Sequence, residues 1–391
     1  MCVERTHAPF GEGPTEKARE SGPRQRPTPL GGRGEETDGL RGPRRALLRP
    51  YYNLLEGSFQ LQLVNPERVK AYARRKTDLR DAEWLADLLR HGLLEGSFVP
   101  SKQDRELREL TRYRAALVAE RTAELNRLQK ILEGANIKLA SVASDIDGVS
   151  ARQMLEMLVA GSEDATAMAD LARGQLRKKI PELEKALTGR FGPHQRFMVS
   201  QVLAHLDGLE EVIEQVSAEI EARMRPFEEA VGQLDTIPGV GRQTAQAIVA
   251  EIGVDMSRFA TSGHLASWAG VCPGNDQSAG KQRSGKTGKG SKWLRVALIQ
   301  AAHAAGHTNK SYLSAQYHRL ASRLGKKKAV IAVAHSILVI AYHLLDRHES
   351  YRDLGASYFD QRNKEATQKR LVHRLEALGF QVSLTPVVLA A

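Results

Sequence analysis

The chain has 391 residues, 57 Lys and Arg against 46 Asp and Glu, a net charge of +11 and a pI near 9.6. That length suits two or three domains with real cores, and the surplus of cations predicts a polyanionic partner. With Cys2 and Cys272 alone, a disulfide framework and a cysteine zinc site are excluded, and an intracellular protein is expected.

Residues 1–49 stand apart. Gly, Pro and Arg supply 23 of these 49 positions and no helical or strand period runs through them, so disorder is expected. No apolar core of the kind a signal peptide needs is present there. Pattern begins near Leu48. Phe59, Leu61 and Leu63 alternate with Gln60 and Gln62, which predicts a half-buried strand ended by Asn65-Pro66.

After the basic cluster Arg74-Arg75-Lys76, Thr77 is a good N-cap. Ala82, Leu85, Leu88 and Leu89 then give a helical apolar face that stops at Gly92. Asp78 and Asp81, three apart in the first turn, project to one side. Such carboxylates usually serve the positive end of the helix dipole, and they could also hold Mg²⁺, which takes oxygen ligands and keeps several waters. From Gln103 to Leu132, Leu107, Leu110, Leu117, Leu125, Leu128 and Leu132 fall near a seven-residue repeat. Leu206, Leu209, Ile213, Val216 and Ile220 form a second such run. The two runs could pack on each other or form a dimeric coiled coil. Between them, Pro181 and Pro193 mark breaks among shorter helices.

Two helices joined by Pro238-Gly239-Val240-Gly241 follow, the second covering about Arg242 to Ile252. The glycines permit positive φ and close approach of backbone to a ligand, and the free N–H groups of the second helix suit a phosphate. Replacing Gly239 or Gly241 by Val is therefore expected to weaken binding and spare the fold. Ser278 to Arg295 then carries Lys281, Arg283, Lys286, Lys289, Lys292 and Arg295 with no acidic residue. Gly280, Gly285, Gly288 and Gly290 lie among them, which predicts a flexible loop that can lie along a phosphate backbone, with no helix before Ser291. The apolar run Ala329–Leu345 is broken by His335, Ser336 and His343, so it is expected to be a buried helix and not a membrane span. The remaining C-terminal histidines, with His303 and His307 one turn apart, do not group at metal-ligand spacing.

KTDLRDAEWLADLLRHGLL, SFVPSKQDRELRELTRYR, IPGVGRQTAQAIVAEIG, SWAGVCPGNDQSAGKQRSGKTGKGSKWLR and AVIAVAHSILVIAYHLL resemble successive segments of one family of insertion-sequence transposases. That family pairs a RuvC-like, ribonuclease-H-fold DEDD domain with a serine-bearing C-terminal domain. The resemblance implies a mainly α chain with a partial α/β N-terminal part, a helical coiled-coil middle and a C-terminal domain containing a helix-hairpin-helix. The expected divisions are residues 1–47 outside the family, 48–100 the remnant of the DEDD domain, 101–229 the helical linker, 230–350 the C-terminal transposase domain and 351–391 a tail.

The resemblance further implies DNA strand exchange with Mg²⁺. Asp78 and Asp81 match the last two acids of the tetrad, and Ser278 matches the nucleophile. Pro238 to Arg242, with the cations from Lys281 to Arg295, would bind DNA. Implied partners are DNA, a structured guide RNA and further copies of the chain joined through the coiled coil. No membrane is implied, and the place is the cytoplasm, at the nucleoid. Where the family has an earlier carboxylate, this chain has Gly42-Pro43-Arg44-Arg45-Ala46, as though residues 1–47 came from another reading frame. Weak Mg²⁺ binding and incomplete strand exchange are therefore expected. Two readings stand: a serine- and Mg²⁺-dependent transposase, or a non-catalytic nucleic-acid-binding remnant of one. A structure-specific repair nuclease comes third.

Overall fold

The computed structural model describes residues 45–64, 78–94, 99–273, 276–278, 281–284, 287–288, 290–362 and 364–384, with the backbone alone at 45–49, 78–81, 276–278 and 281–284. Most of the expected disordered start lies outside these residues. A helix α1, Arg45–Leu55, nonetheless begins inside the span expected to be disordered and contains Pro50. It is fastened from its C-terminal end: Arg105 pairs with Glu56, donates to the Pro100 carbonyl at 2.7 Å and lies 5.4 Å over the Tyr52 ring. Its outer side is bare, with Leu54 80% exposed.

The strand expected at Phe59–Leu63 does not form. Residues 60–63 have no regular structure, and Phe59 is 65% exposed. Alternation sets which side chains could share a face, but a strand also needs a partner ladder, and none of the described residues supplies one. Helix α2 spans Asp78–Arg90 and ends beside Gly92, whose φ of +68° suits the turn that follows. Its apolar face is only partly covered, Leu88 being buried and Leu89 exposed.

The long helices appear as expected, α3 at Lys102–Gly134 and α8 at Pro193–Met224. Ser101 caps α3 by accepting from the Asp104 N–H at 3.1 Å. Between them lie α4 (Leu139–Val142), α5 (Val149–Ala160), α6 (Ala165–Ala169) and α7 (Ile180–Leu187). Pro181 and Pro193 sit in the first turns of α7 and α8, where a missing N–H costs nothing.

The two heptad runs pack on each other, and in antiparallel sense. Arg223 of α8 meets Glu106 of α3 at 3.0 Å, Arg121 meets Glu210 at 3.8 Å, and His205 meets Glu124 at 3.4 Å. As the number rises on one helix it falls on the other. Leu107, Leu117, Leu128, Leu132, Leu206, Leu209 and Ile220 are consumed by this pairing and the cores at its two ends. Within the chain the two runs therefore form an intrachain pair that covers this apolar seam.

One core gathers Leu128, Leu132, Met154, Leu155, Leu183 and Leu203 from α3, α5, α7 and α8. The other forms at the opposite end of the long helices. It joins Leu107, Ile220 and Met224 to α9 (Glu228–Asp235), α10 (Arg242–Ile252), α11 (Ser262–Trp268), α12 (Lys292–His307), α13 (Tyr312–Leu324) and α14 (Lys326–Arg347). α14 is, among the described residues, the one helix long and apolar enough to cross a membrane. Val333, Ala334, Ile337, Leu338 and Ala341 on it are fully buried in the core, as its sequence predicted. The C-terminal tail adds α15 (Tyr358–Arg362) and α16 (Lys364–Ala377).

The segment expected to be a flexible loop contains a two-stranded antiparallel hairpin instead, β1 (Asp276–Ser278) and β2 (Lys281–Ser284), with Gln277 opposite Gln282 and Ser278 opposite Lys281. A further bridge pairs Pro273 with Thr287.

Candidate nucleic-acid interface

The expected helical hairpin forms. Its turn is closed by Val240 N–H donating to Ile237 O at 2.9 Å, and Ala245 N–H to Gly241 O at 2.9 Å. The two glycines do different work. Gly239 has φ of +87°, and a Cβ there would overlap the backbone of Ala301 and Ala305 on α12. It is a packing glycine, and the expectation that a Gly239 variant spares the fold is overturned. Gly241 has φ of −92°, and nothing lies within 4 Å of the place a Cβ would take. It caps α10 with no side-chain acceptor, so the first N–H groups of that helix are presented beside an exposed residue. Val240 is buried and Pro238 half-buried, which leaves Gly241 to Gln243 as the exposed lip.

Arg242, on this lip, already has partners. It pairs with Glu228 at 2.7 Å and with Glu221 of α8. The guanidinium holds both carboxyls below the usual carboxylate range, its hydrogen bond being the largest cause for each. A chain of contacts continues inward. Gln246 donates to Glu221 at 2.6 Å and accepts from Arg114 at 3.0 Å, and burial lowers the pKa of Arg114.

The far end of α10 is clamped by α3. Arg108 donates to the carbonyls of Ala250, at 2.8 Å, and Glu251, a cation placed where the helix ends in unpaired acceptors. The Glu251 carboxylate, 2% exposed, receives Arg112 at 2.7 and 2.9 Å and the Ser291 hydroxyl at 3.0 Å. Ser291 is in turn the N-cap of α12, accepting from Leu294 N–H at 3.3 Å. One buried carboxylate therefore ties α3, the end of α10 and the start of α12 together. Sequence reasoning missed Arg108, Arg112, Arg114 and Glu251, since arginines along a charged helix read as a solvated face.

The cationic hairpin springs from this fixed frame. Gly270, φ +69°, and Gly290 press backbone to backbone: a Cβ on either would overlap the other's segment. Gly290 thus serves close packing and not the looseness expected of it. Arg295 donates to Thr287 Oγ at 2.8 Å, and Lys292, exposed, lies 6.0 Å from the Trp293 ring centroid. The backbone of Lys281 and Arg283 is on β2, and Ser278 ends β1 with Lys281 as its partner. Lys286 and Lys289 lie outside the described residues, as do the side chains of Ser278, Lys281 and Arg283.

Asp78 and Asp81 open α2, three residues apart, with their side chains outside the described residues. Among the described residues α2 has no substantial packing against the β1–β2 hairpin. Among the described residues no group of three or more His, Cys, Asp or Glu could hold a metal, His303 and His307 included.

Two stretches of the sequence that build this scaffold match transposase domains. Residues 43–137, covering α1 to α3, match the IS110-type DEDD transposase domain. Residues 232–318, from the end of α9 into α13, match the domain described as transposase of the IS116/IS110/IS902 family. These define the class as an insertion-sequence transposase. A Pseudomonas aeruginosa protein assigned to transposase family 20 is 26% identical over 304 residues, covering 76% of this chain and 81% of its own. The transposase for insertion sequence element IS1111A of Coxiella burnetii is 25% identical over 300 residues, 74% of this chain and 72% of its own. The pilin gene-inverting protein of Moraxella bovis is 31% identical over 121 residues, 30% of this chain and 37% of its own. The chain thus carries an IS110-type DEDD transposase domain and a domain of the IS116/IS110/IS902 transposase family.

Proposed function

We propose that this transposase binds the DNA backbone through the β1–β2 hairpin and the start of α12, with Ser278 as the nucleophile of strand exchange. The observation that carries this is the placement of Ser278 opposite Lys281 at the end of β1, on a hairpin whose base is held by the Gly270–Gly290 contact and by Ser291 on Glu251. A nucleophile needs such a rigid support and a neighbouring cation for charge developing on phosphorus. In the step, Ser278 Oγ bonds to phosphorus and loses its proton to solvent. The ester bond to the departing strand breaks, and that strand's oxygen takes up a proton. Attack by the hydroxyl of the other strand releases Ser278 by the reverse exchange. Lys281, Arg283, Lys286, Lys289, Lys292 and Arg295 neutralise the flanking phosphates, and the turn Pro238 to Arg242 adds backbone N–H groups at its exposed end, from Gly241 onward.

Asp78 and Asp81, two hard oxygen donors on one helical turn, suit Mg²⁺ with water filling the other positions. Bound there, the ion would polarise the phosphate as a Lewis acid. The same cationic surface fits a structured guide RNA. Residues 1–47, the DEDD portion 48–100, the helical linker 101–229, the C-terminal domain 230–350 and the tail 351–391 remain the proposed divisions.

The test is a covalent protein–DNA adduct assay with Mg²⁺, using this chain and one whose residues 1–47 are replaced by a family-like start bearing the missing carboxylates. Adducts are expected from the restored chain and lost in Ser278→Ala. Adducts that persist in Ser278→Ala would overturn the nucleophile. DNA binding without adducts in either chain would favour the remnant reading.

A further inference from the structure

From Gln277 to Leu345 the sequence contains no Asp or Glu and twelve Lys and Arg. Six of the twelve fall between Lys281 and Arg295 in the sequence. Five of the others gather at one place, the connection from α13 to α14: Arg319, Arg323, Lys326, Lys327 and Lys328, all exposed. Arg319 and Arg323 are one helical turn apart and share a face. Gly325, φ +83°, turns the chain straight into the lysines. Arg319 is steadied 5.3 Å over the Phe359 ring of the tail.

Many cations earlier in the chain are neutralised within the fold. Arg105, Arg112, Arg121, Arg152, Arg223, Arg242 and Arg258 all pair with carboxylates. Among the described residues no Lys or Arg beyond Arg258 forms an ion pair. Lysines in the first turn of α14, with no acid there, also oppose the helix dipole. A single glutamate would relieve that opposition and the sequence offers none. Local preference set against the fold in this way marks a surface kept for another purpose.

We propose that the α13–α14 turn is a second contact for the phosphate backbone of duplex DNA, additional to the hairpin; this rests on the nucleic-acid-binding reading given above. A protein that exchanges strands must hold more than one DNA segment, and two cationic surfaces on one clamped core supply two grips.

The experiment uses the full chain and Lys326→Gln/Lys327→Gln/Lys328→Gln, with an end-labelled DNA duplex of arbitrary sequence and, separately, a structured RNA hairpin, titrated across a salt series. The variant should flatten the slope of log K against log salt for DNA by about 2–3 units, each phosphate contact being worth about 0.9. Its melting temperature should be unchanged or higher. Combined with Lys286→Ala/Lys289→Ala/Lys292→Ala, the two losses should add. An unchanged DNA slope in the α14 variant, while the hairpin variant flattens it, would overturn the second contact alone, as would a loss confined to the RNA. A wild-type chain with no salt-dependent binding would overturn the underlying reading instead.

Discussion

Gly239 and Gly241 are two residues apart and identical in chemistry, yet the structure predicts opposite outcomes for Gly239→Ala and Gly241→Ala. At 239 the substitution meets two penalties. A positive φ of +87° disfavours any L side chain by about 1–2 kcal/mol. The new methyl would also overlap main-chain atoms of Ala301 and Ala305, and main chain in the middle of a packed helix cannot rotate aside as a side chain can. Relieving it means lifting the α9–α10 turn off α12, an overpacking cost of about 1–3 kcal/mol. Together these give roughly 2–5 kcal/mol, a fall of about 10 °C in melting temperature for a unit of this size. At 241 the φ is −92° and the space is open, so Ala should leave stability within about 0.5 kcal/mol. If the lip at Gly241 approaches a phosphate, the same methyl should weaken DNA binding without unfolding anything. Thermal unfolding followed by circular dichroism, with fluorescence anisotropy on a labelled duplex, reads both effects. A Gly239→Ala chain as stable as the parent would refute the packing argument.

Glu251→Gln should destabilise by about 3–5 kcal/mol, because Arg112 and the α12 cap would face a neutral amide in a closed site; chemical denaturation measures it, and a loss under 1 kcal/mol would show the clamp to be dispensable. Ser291→Ala should lower stability by about 1 kcal/mol through the lost N-cap, read in the same experiment. His335, half-buried on α14, has its pKa pushed down by burial. Its contribution is therefore full above the ordinary histidine value near about 6.5 and is lost as pH falls toward the folded value. Melting temperature should drop on acidification below that value, and His335→Gln should flatten the drop; equal pH profiles would remove His335 as the cause.

What the sequence made legible follows from how far apart the causes lie. The seam of α3 and α8 was visible because each helix repeats its apolar residues over many turns, and α14 because its apolar run has no charge until Asp346. The helical hairpin was visible from Pro238-Gly239-Val240-Gly241, but the reason for Gly239 was not, since the atoms it makes room for lie on α12. Gly290 was misread for the same cause: its neighbour is Ala269, across the hairpin. The strands β1 and β2 carry polar residues with no apolar alternation, so no period announced them, while Phe59 to Leu63 has the alternation and no partner ladder among the described residues. Glu251 and Arg112 are 139 positions apart, and nothing local to either predicts the pair. Of the candidate site, the cationic character of Lys281 to Arg295 was read directly from composition. The frame that aims it was not.

The most direct measurement of the central claim is the salt dependence of DNA binding by this chain and by Lys286→Ala/Lys289→Ala/Lys292→Ala. If the segment from Lys281 to Arg295 neutralises about six phosphates, log K should fall against log salt with a slope near −5. The triple variant should flatten that slope by roughly 2 to 3 units at unchanged melting temperature. A slope identical in the two chains would contradict the assignment of this segment as the DNA-binding surface.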